Sequence, residues 1–140
     1  MTVSTPSKFE TAAGHLVPHI PFAFAEDSVG STLSSLPGNR FDSIEAIYIV
    51  DRLGHLCGLV RLCDLLTLPR ELKLGEVMVT RSPAVYPDED REQVAGLAIQ
   101  HGLTDVPVVD RQGCLIGVVP AQAMLAILRQ EHIEDIHRLA

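Results

Sequence analysis

The chain contains an internal repeat, and this repeat restricts its fold more than any other feature of the sequence. When the sequence is aligned with itself at an offset of 59 residues, residues 50–60 overlie residues 109–119 with seven identities in eleven positions. Both copies read as an apolar strand, an Asp-Arg-x-Gly turn and a second apolar strand. This is the pattern of a β-hairpin, because glycine supplies the positive φ that the turn requires. A repeated supersecondary unit predicts two similar units that stack on each other.

The second copy has a clear order of predicted elements. Residues 84–86 form a short apolar run between two prolines and predict a strand. Asp90 and Gln93 are typical of a helix N-cap and its partner, and Gly102 is a typical helix end. The residues predicted on one face of this helix are Val94, Leu97, Ala98 and His101. With the hairpin and the helix after it, the second copy predicts strand, helix, strand, strand, helix.

The first copy follows the same order less regularly. Residues 22–24 predict its first strand, and Ser28 caps a helix that Pro37 and the following glycine end. A short closing helix over residues 62–68 ends at Pro69. Pro120 suits the first turn of a longer final helix, whose apolar residues recur at steps of three and four.

These elements predict an α+β fold of two β-α-β-β-α units. Each unit has only about 60 residues and would bury a marginal core, so we expect the two to pack sheet to sheet as a pseudo-two-fold pair. The predicted boundaries are 15–75 for the first unit and 76–128 for the second. Residues 1–14 form a lead-in, and residues 129–140 form a helical exit segment.

Composition excludes several classes of function. A net charge of −7 with only 11 scattered basic residues argues against nucleic acid as a partner. The apolar runs are a few residues long, far below the roughly 20 that cross a bilayer. The first residues lack the basic and apolar regions of a secretory signal. We therefore expect a cytoplasmic chain without a membrane span of its own.

The sequence does not indicate an enzyme. Cys57, Cys63 and Cys114 lie in apolar runs without C-x-x-C spacing, which predicts buried thiols instead of a zinc or redox site. No grouping of a nucleophile, a base and an orienting residue is visible.

The repeated unit with Val-Asp-Arg-x-Gly-x-Leu-x-Gly at its hairpin resembles the CBS (cystathionine-β-synthase) domain, which normally occurs in tandem. The flanking residues 9–16 and 134–139 are similar to the segments before and after the CBS pair of MgtE-type magnesium transporters. The resemblance implies a homodimer, with the exit segment leading toward a transporter pore domain in the same or a partner chain. It also implies a location in the cytoplasm, at the membrane face of such a transporter.

Each hairpin ends in an incomplete form of a nucleotide-binding motif. Nucleotide-binding CBS domains have Gly-h-h-Thr/Ser-x-x-Asp here, and the first copy aligns Gly58, Arg61 and Asp64 with it. By resemblance, Asp64 would hold the ribose of ATP or AMP, and Arg61 could pair with a phosphate. The alternative is that Asp64 caps a helix or forms a local salt bridge. Residues 117–123 have lost both side chains, which predicts no adenosine site in the second copy.

An acidic cluster near the C-terminus is a candidate Mg²⁺ site. Glu131, Glu134 and Asp135 are three and four residues apart, which places their carboxylates on one helix face. Hard cations take such oxygen ligands, but a solvated helix end balanced by neighbouring arginines has the same pattern. The resemblance adds Glu92 as a further ligand. Positions that are acidic in the family pattern are here Gly102, Ala123 and Ala126.

Three functions follow from these features. The leading one is a regulatory module of a magnesium transporter, which senses cytosolic Mg²⁺ through acidic residues and relays the signal through its C-terminal helix. The alternative is a stand-alone adenine-nucleotide sensor. The third is a dimerisation scaffold without a ligand.

Overall fold

Two β-α-β-β-α units follow each other in the computed structural model, which describes residues 10–129. The first unit consists of β1 (Phe22–Ala23), α1 (Val29–Ser35), β2 (Ala46–Val50), β3 (Leu56–Arg61) and α2 (Leu62–Leu65). The helix α3 (Leu74–Val77) leads into the second unit, whose elements are α4 (Arg91–His101), β4 (Val106–Val109), β5 (Leu115–Val119) and α5 over residues 121–129. The predicted α+β class and the two-unit architecture are confirmed.

The sheets follow the predicted hairpins. In the first unit, β1 runs parallel to β2, and β2 is antiparallel to β3. In the second unit, β4 and β5 are antiparallel, and a parallel bridge from Val85 to Val108 takes the place of the first strand. Both hairpins shift register at the same repeat position, after Ile49 and after Val108. The two sheets therefore share the same irregularity as well as the same order.

The repeated turn closes in the same way in both copies. The Asp51 carboxylate accepts hydrogen bonds from the backbone N–H groups of Leu53 and His55, each at 2.9 Å. Gly54 has a φ of 90°, as the turn requires. Asp110 accepts the equivalent bonds at 2.9 and 3.0 Å, and its glycine has a φ of 87°. The Asp-x-x-Gly pattern thus encodes one turn twice.

The two turns meet each other and mark the pseudo-two-fold axis. The Leu56 N–H donates to the Gly113 carbonyl at 3.1 Å, and the Leu115 N–H donates to the Gly54 carbonyl at 3.0 Å. These bonds exchange under the offset of 59 residues, since 54 and 56 become 113 and 115. The bonds join the units into one pseudo-symmetric pair.

Each unit also receives the segment that precedes the other. Val79, before the second unit, exchanges hydrogen bonds of 2.8 and 3.0 Å with Leu59 of β3. Val17, before the first unit, exchanges bonds of 2.8 and 3.0 Å with Val118 of β5. The close approach of each segment requires a glycine in the strand that it crosses, Gly58 in β3 and Gly117 in β5.

The lead-in belongs structurally to the second unit. The Ala12 N–H donates to the Glu89 carbonyl, and the Ala13 N–H donates to the Pro87 carbonyl. Ala12 is buried in the hydrophobic core of the second unit. The partly buried side chain of Leu16 packs against the same core. Residues 10–16, which include the described end of the predicted lead-in, therefore cover one side of the second unit.

Three apolar clusters hold the fold together. One fills the first unit, one fills the second unit, and a third lies between the sheets around Ile20, Tyr48, Leu59 and Val118. The third cluster explains why the pair packs sheet to sheet. None of the helices described within residues 10–129 is long and apolar enough to cross a bilayer.

Each hairpin turn also carries an arginine that contacts the strand beside it. The Arg52 guanidinium lies 4.2 Å from the centre of the Phe24 ring and pairs with Glu26. The Arg111 guanidinium lies 4.1 Å from the centre of the Tyr86 ring and pairs with Asp88 at 2.7 Å. These contacts show that the repeat extends beyond the hairpin to the first strand of each unit.

Several local predictions were wrong in detail. Cys57 and Cys63 are exposed and Cys114 is half-buried, so the expectation of three buried thiols is wrong. Cys57 lies near the start of β3, where Leu56 is only half-buried and full burial begins at Gly58, so this end of the apolar run leaves the thiol exposed. The helix after β3 ends at Leu65 instead of residue 68. In α4 the buried residues are Val94, Ala95 and Ala98, while His101 is exposed.

Candidate functional site

A cleft of about 580 Å³ lies between the two repeats and has the size of a typical small-molecule site. Four parts of the chain form the wall of the cleft. They are the end of the loop before β2, the end of β3 with the start of α2, the linker after α3 (residues 78–84), and the loop between α4 and β4. Its polar and charged side chains belong to Glu45, Tyr48, Arg61, Cys63, Arg81, Ser82, His101, Thr104 and Asp105.

The charged residues of the cleft are balanced in an otherwise acidic chain. Two arginines, Arg61 and Arg81, and two acidic residues, Glu45 and Asp105, line the cleft, whereas the chain as a whole carries −7. Both arginines are exposed, and neither forms an ion pair with another residue in the range 10–129. Two unpaired guanidinium groups can bind an anion such as a phosphate in bidentate fashion.

Two neutral hydroxyl groups add hydrogen-bonding capacity. Burial raises the pKa of Tyr48 well above its usual range, and the nearby Asp105 and Glu45 carboxylates raise it further, so its phenol stays protonated. The Ser82 hydroxyl is buried and has no hydrogen-bond partner among the described residues. Because a buried hydroxyl without a partner costs free energy, Ser82 is a natural contact for a polar ligand.

Asp105 is the most buried charged residue of the cleft. Its side chain is almost inaccessible, with 6% of the residue exposed. One carboxylate oxygen accepts a hydrogen bond from the Ser43 hydroxyl, and the other accepts one from the Ala121 N–H at 3.0 Å. The carboxylate therefore connects the first unit, the cleft and the start of α5.

The structure places the predicted nucleotide residues in different surroundings. Arg61 lines the cleft, as the motif alignment predicts for a phosphate contact. Asp64 lies in the first turn of α2, is exposed, and is not among the residues that line the cleft. Gly58 is crossed by the backbone of Val79, and a β-carbon there would lie 2.7 Å from the Val79 carbonyl oxygen. The glycine is thus needed for packing, whatever binds nearby.

The equivalent positions in the second copy carry no polar side chain. Pro120 and Ala123 stand at the positions of Arg61 and Asp64, and Ala123 packs against the second core. A ribose there would find neither the aspartate nor the arginine of the first copy. This agrees with the prediction that the second copy does not bind adenosine, which stays a prediction.

Only one of the predicted metal ligands lies in the described part of the chain. Glu92 is exposed in the first turn of α4, and its N–H donates to the N-cap Asp90 at 2.7 Å. Glu131, Glu134 and Asp135 lie outside the described residues. Within residues 10–129, no group of three or more His, Cys, Asp or Glu side chains is arranged to hold a metal ion.

Three residues of the cleft were not predicted as site residues: Arg81, Ser82 and Asp105. Arg81 and Ser82 lie in a linker that looks unstructured in sequence, and Asp105 precedes a strand in the other repeat. The one available signal was that polar residues next to apolar strands often form binding sites. Their convergence on Arg61 depends on packing between the repeats, which the sequence does not encode locally.

Comparison with known proteins identifies what the chain is similar to. A family model described as the CBS domain matches residues 74–130. The magnesium transporter MgtE of Thermus thermophilus is 38% identical over 98 residues, which cover 70% of this chain and 22% of the transporter. That of Enterococcus faecalis is 28% identical over 134 residues, which cover 94% of this chain and 29% of the transporter. The chain therefore spans less than a third of the length of these relatives.

A solved structure matches the fold as well. The crystal structure of the cytosolic domain of the Mg²⁺ channel MgtE in complex with ATP superposes with a TM-score of 0.81 at 30% identity. The match covers 84% of this chain and 48% of that chain. The similarity thus extends over most of both repeats.

Proposed function

Because the chain is a tandem pair of CBS domains, most like the cytosolic CBS region of MgtE-type magnesium transporters, we propose that it regulates such a transporter and binds an adenine nucleotide between its repeats. We propose that the role of this chain is regulation and not catalysis. The observation that carries the ligand proposal is the cleft of about 580 Å³ with the unpaired Arg61 and Arg81.

The cleft offers each contact that a nucleotide needs. The guanidinium groups of Arg61 and Arg81 would bind phosphates, the apolar wall with Leu59 and Val79 would pack on the base, and the Ser82 hydroxyl would gain a partner. The related MgtE domain was crystallised in complex with ATP, which supports the same class of ligand here. The position of Asp64 outside the cleft lining favours the arginines over that aspartate as the main contacts.

Calorimetric titration with ATP and AMP tests the nucleotide proposal. We expect binding of ATP, weakened at least tenfold in Arg61→Ala and in Arg81→Ala, since charged hydrogen bonds contribute about 1.5–3 kcal/mol each. Arg40→Ala, which removes an exposed arginine outside the cleft, is the matched control. Absence of heat with both nucleotides would reject this ligand. Loss of binding in Asp64→Ala alone would reassign the site to the predicted ribose aspartate.

Sensing of Mg²⁺ is the second candidate function, favoured by the 38% identity to a magnesium transporter. We propose that Glu92 and the acidic residues of the exit segment, Glu131, Glu134 and Asp135, hold Mg²⁺ loosely. Glu92 is exposed next to the acidic run of residues 88–90, where a cation would reduce repulsion between carboxylates. Glycine and alanine at three positions of the family pattern predict weak binding, or a site completed by a partner chain.

Magnesium titration distinguishes this proposal from a solvated helix end. We expect millimolar Mg²⁺ to stabilise the chain against urea, and to do so much less when Glu131, Glu134 and Asp135 are replaced by alanine. Glu71→Ala removes an exposed carboxylate in the loop between α2 and α3 and is the control. An unchanged Mg²⁺ response in the triple variant would reject the exit-segment site.

The partners proposed for this module follow from the relatives. A homodimer would cover exposed apolar residues on or next to three helices, Leu66 after α2, Ile99 of α4 and Leu125 of α5, which are 64–68% exposed. The transport pore would lie in the same chain or in a partner chain, and the module would face the cytoplasm. Light scattering with and without Mg²⁺ measures the dimer, and a strictly monomeric chain would reject it.

A further inference from the structure

Asp105 joins three parts of the chain that are far apart in sequence. The Ser43 hydroxyl, 62 residues away in the loop before β2, donates to one carboxylate oxygen. The backbone N–H of Ala121, at the start of α5, donates to the other oxygen at 3.0 Å. Between them, Asp105 itself faces the cleft. One buried side chain therefore contacts the first unit, the cleft and the final helix.

Comparison of the two copies shows that this arrangement is specific to the second. In the first copy, the equivalent N–H of Leu62 donates at 3.1 Å to the backbone carbonyl of Glu45, and Ala46 stands at the position of Asp105. The second copy replaces this local main-chain bond with a side chain that also reaches the other unit. The repeat symmetry is broken where the chain leaves the second unit.

Both ends of the connection are held in place. In the first unit, the Asp42 N–H donates to the His19 carbonyl at 2.7 Å, and the His19 N–H donates to the Asp42 carboxylate at 3.0 Å, which fixes the loop next to Ser43. In the second unit, Met124 and Ile127 anchor α5 in the core, with 6% and 2% exposed. A displacement at one end therefore acts on the other through Asp105.

We infer that Asp105 is a positioning residue that couples the wall of the cleft to the N-terminus of the final helix. Its neighbours in the loop, Ile44 and Glu45, also line the cleft, so a ligand there contacts both the carboxylate and the segment that holds it. A carboxylate offers about four acceptor positions, and two are used here, so ligand hydroxyl groups can bind without displacing Ser43 or Ala121. Occupancy of the cleft then tightens the start of α5. The response to ligand rests on the proposed nucleotide function, whereas the connection from Ser43 to Ala121 does not.

Hydrogen exchange of the Ala121 amide, measured by NMR, tests the connection without a ligand. Ser43→Ala removes a contact that is remote from α5, and we expect it to speed exchange at Ala121 by about fivefold, which corresponds to about 1 kcal/mol, the usual net contribution of one hydrogen bond. In the background of Asp105→Asn, which keeps the size of the side chain, the same serine substitution should have no further effect. Ser34→Ala, an exposed serine on α1, is the control.

The outcomes separate the connection from the ligand proposal. If Ser43→Ala leaves Ala121 unchanged, or acts equally in both backgrounds, the coupling through Asp105 is wrong. With ATP added to saturation of each variant, exchange at Ala121 should slow in the parent chain and not in Asp105→Asn. If ATP binds by calorimetry and Ala121 does not respond, the relay of occupancy is wrong. If ATP does not bind, the nucleotide function fails, and the serine comparison still decides the connection.

Discussion

Replacement of Gly117 by alanine tests whether Leu16 and Val17, which follow the predicted lead-in, pack on the second unit. A β-carbon on Gly117 would lie 2.1 Å from Leu16 Cδ1 and 2.5 Å from the Val17 carbonyl oxygen. Favourable contacts between carbon atoms are about 3.5–4.0 Å, so Leu16 and Val17 must move away from β5 by an ångström or more. The paired hydrogen bonds between Val17 and Val118, at 2.8 and 3.0 Å, cannot survive such a movement.

The expected cost follows from these contacts. Two backbone hydrogen bonds contribute about 0.5–1.5 kcal/mol each, and the partly buried Leu16 loses some of its apolar burial. Alanine returns about 0.4–1 kcal/mol by restricting the unfolded chain. We therefore expect the free energy of unfolding to fall by about 2–3 kcal/mol in Gly117→Ala. The pseudo-symmetric Gly58→Ala should cost less, about 1–2 kcal/mol, because its β-carbon would lie 2.7 Å from the Val79 carbonyl oxygen and 3.0 Å from Met78 Sδ, a smaller overlap than at Gly117.

Urea denaturation followed by circular dichroism measures these differences. The matched control is Gly96→Ala in α4, where nothing lies within 4 Å of the added carbon. This change should stabilise the chain by about 0.5–1 kcal/mol, the usual difference in helix propensity. If Gly117→Ala is as stable as the Gly96 variant, Leu16 and Val17 do not pack on β5 as described.

Three further predictions concern the hairpins. Arg52→Ala and Arg111→Ala should each lower the free energy of unfolding by about 0.5–1 kcal/mol in urea melts, because each loses an exposed cation–π contact. If lysine at either position leaves the stability unchanged, the positive charge and not the guanidinium group is responsible. The pKa of Asp51 is lowered by hydrogen bonds from the His55 side chain and backbone, so its carboxylate stabilises the fold above the unfolded value of about 4 and loses this effect as the pH falls through the folded value. Asp51→Asn should therefore flatten the acid limb of stability against pH, and an unchanged limb would contradict this. The pKa of the exposed Cys57 thiol is raised, chiefly by partial desolvation against the protein surface and also by the Asp51 carboxylate. Iodoacetamide should therefore modify this thiol slowly at neutral pH and faster above pH 9, as mass spectrometry can measure. Rapid modification at pH 7 would overturn this assignment.

The sequence predicted those parts of the fold that local chemistry determines. The hairpin turns follow from Asp51 and Gly54, because a carboxylate that accepts backbone N–H groups and a residue with positive φ define that turn without other contacts. Gly102 ends α4 for the same local reason, with a φ of 63°. Ser28 caps α1 by accepting the Ser31 N–H at 3.0 Å, as expected from its position.

The parts that were missed depend on contacts between distant residues. Asp90 caps α4 through the Glu92 N–H and not through Gln93, a choice set by side-chain geometry that the pattern does not specify. The candidate site was found only in part, since Arg61 follows from the motif whereas Arg81 and Asp105 reach the cleft from the linker and the other repeat. Such convergence follows from how the two units pack, and no local pattern records it.

The exchange of preceding segments bears on how a pair of this kind could arise by duplication. A chain with a single repeat would present one unpaired strand edge, the equivalent of Val118, and a leading segment, the equivalent of Val17, that fits this edge in a second copy. Two such chains would exchange their leading segments and form a symmetric dimer. Fusion of two copies in tandem converts that exchange between molecules into the contacts of Val17 with Val118 and of Val79 with Leu59. The tandem chain thus contains, within one molecule, the interface that two exchanged copies of a single repeat would form, and because the halves are joined, each can carry different side chains.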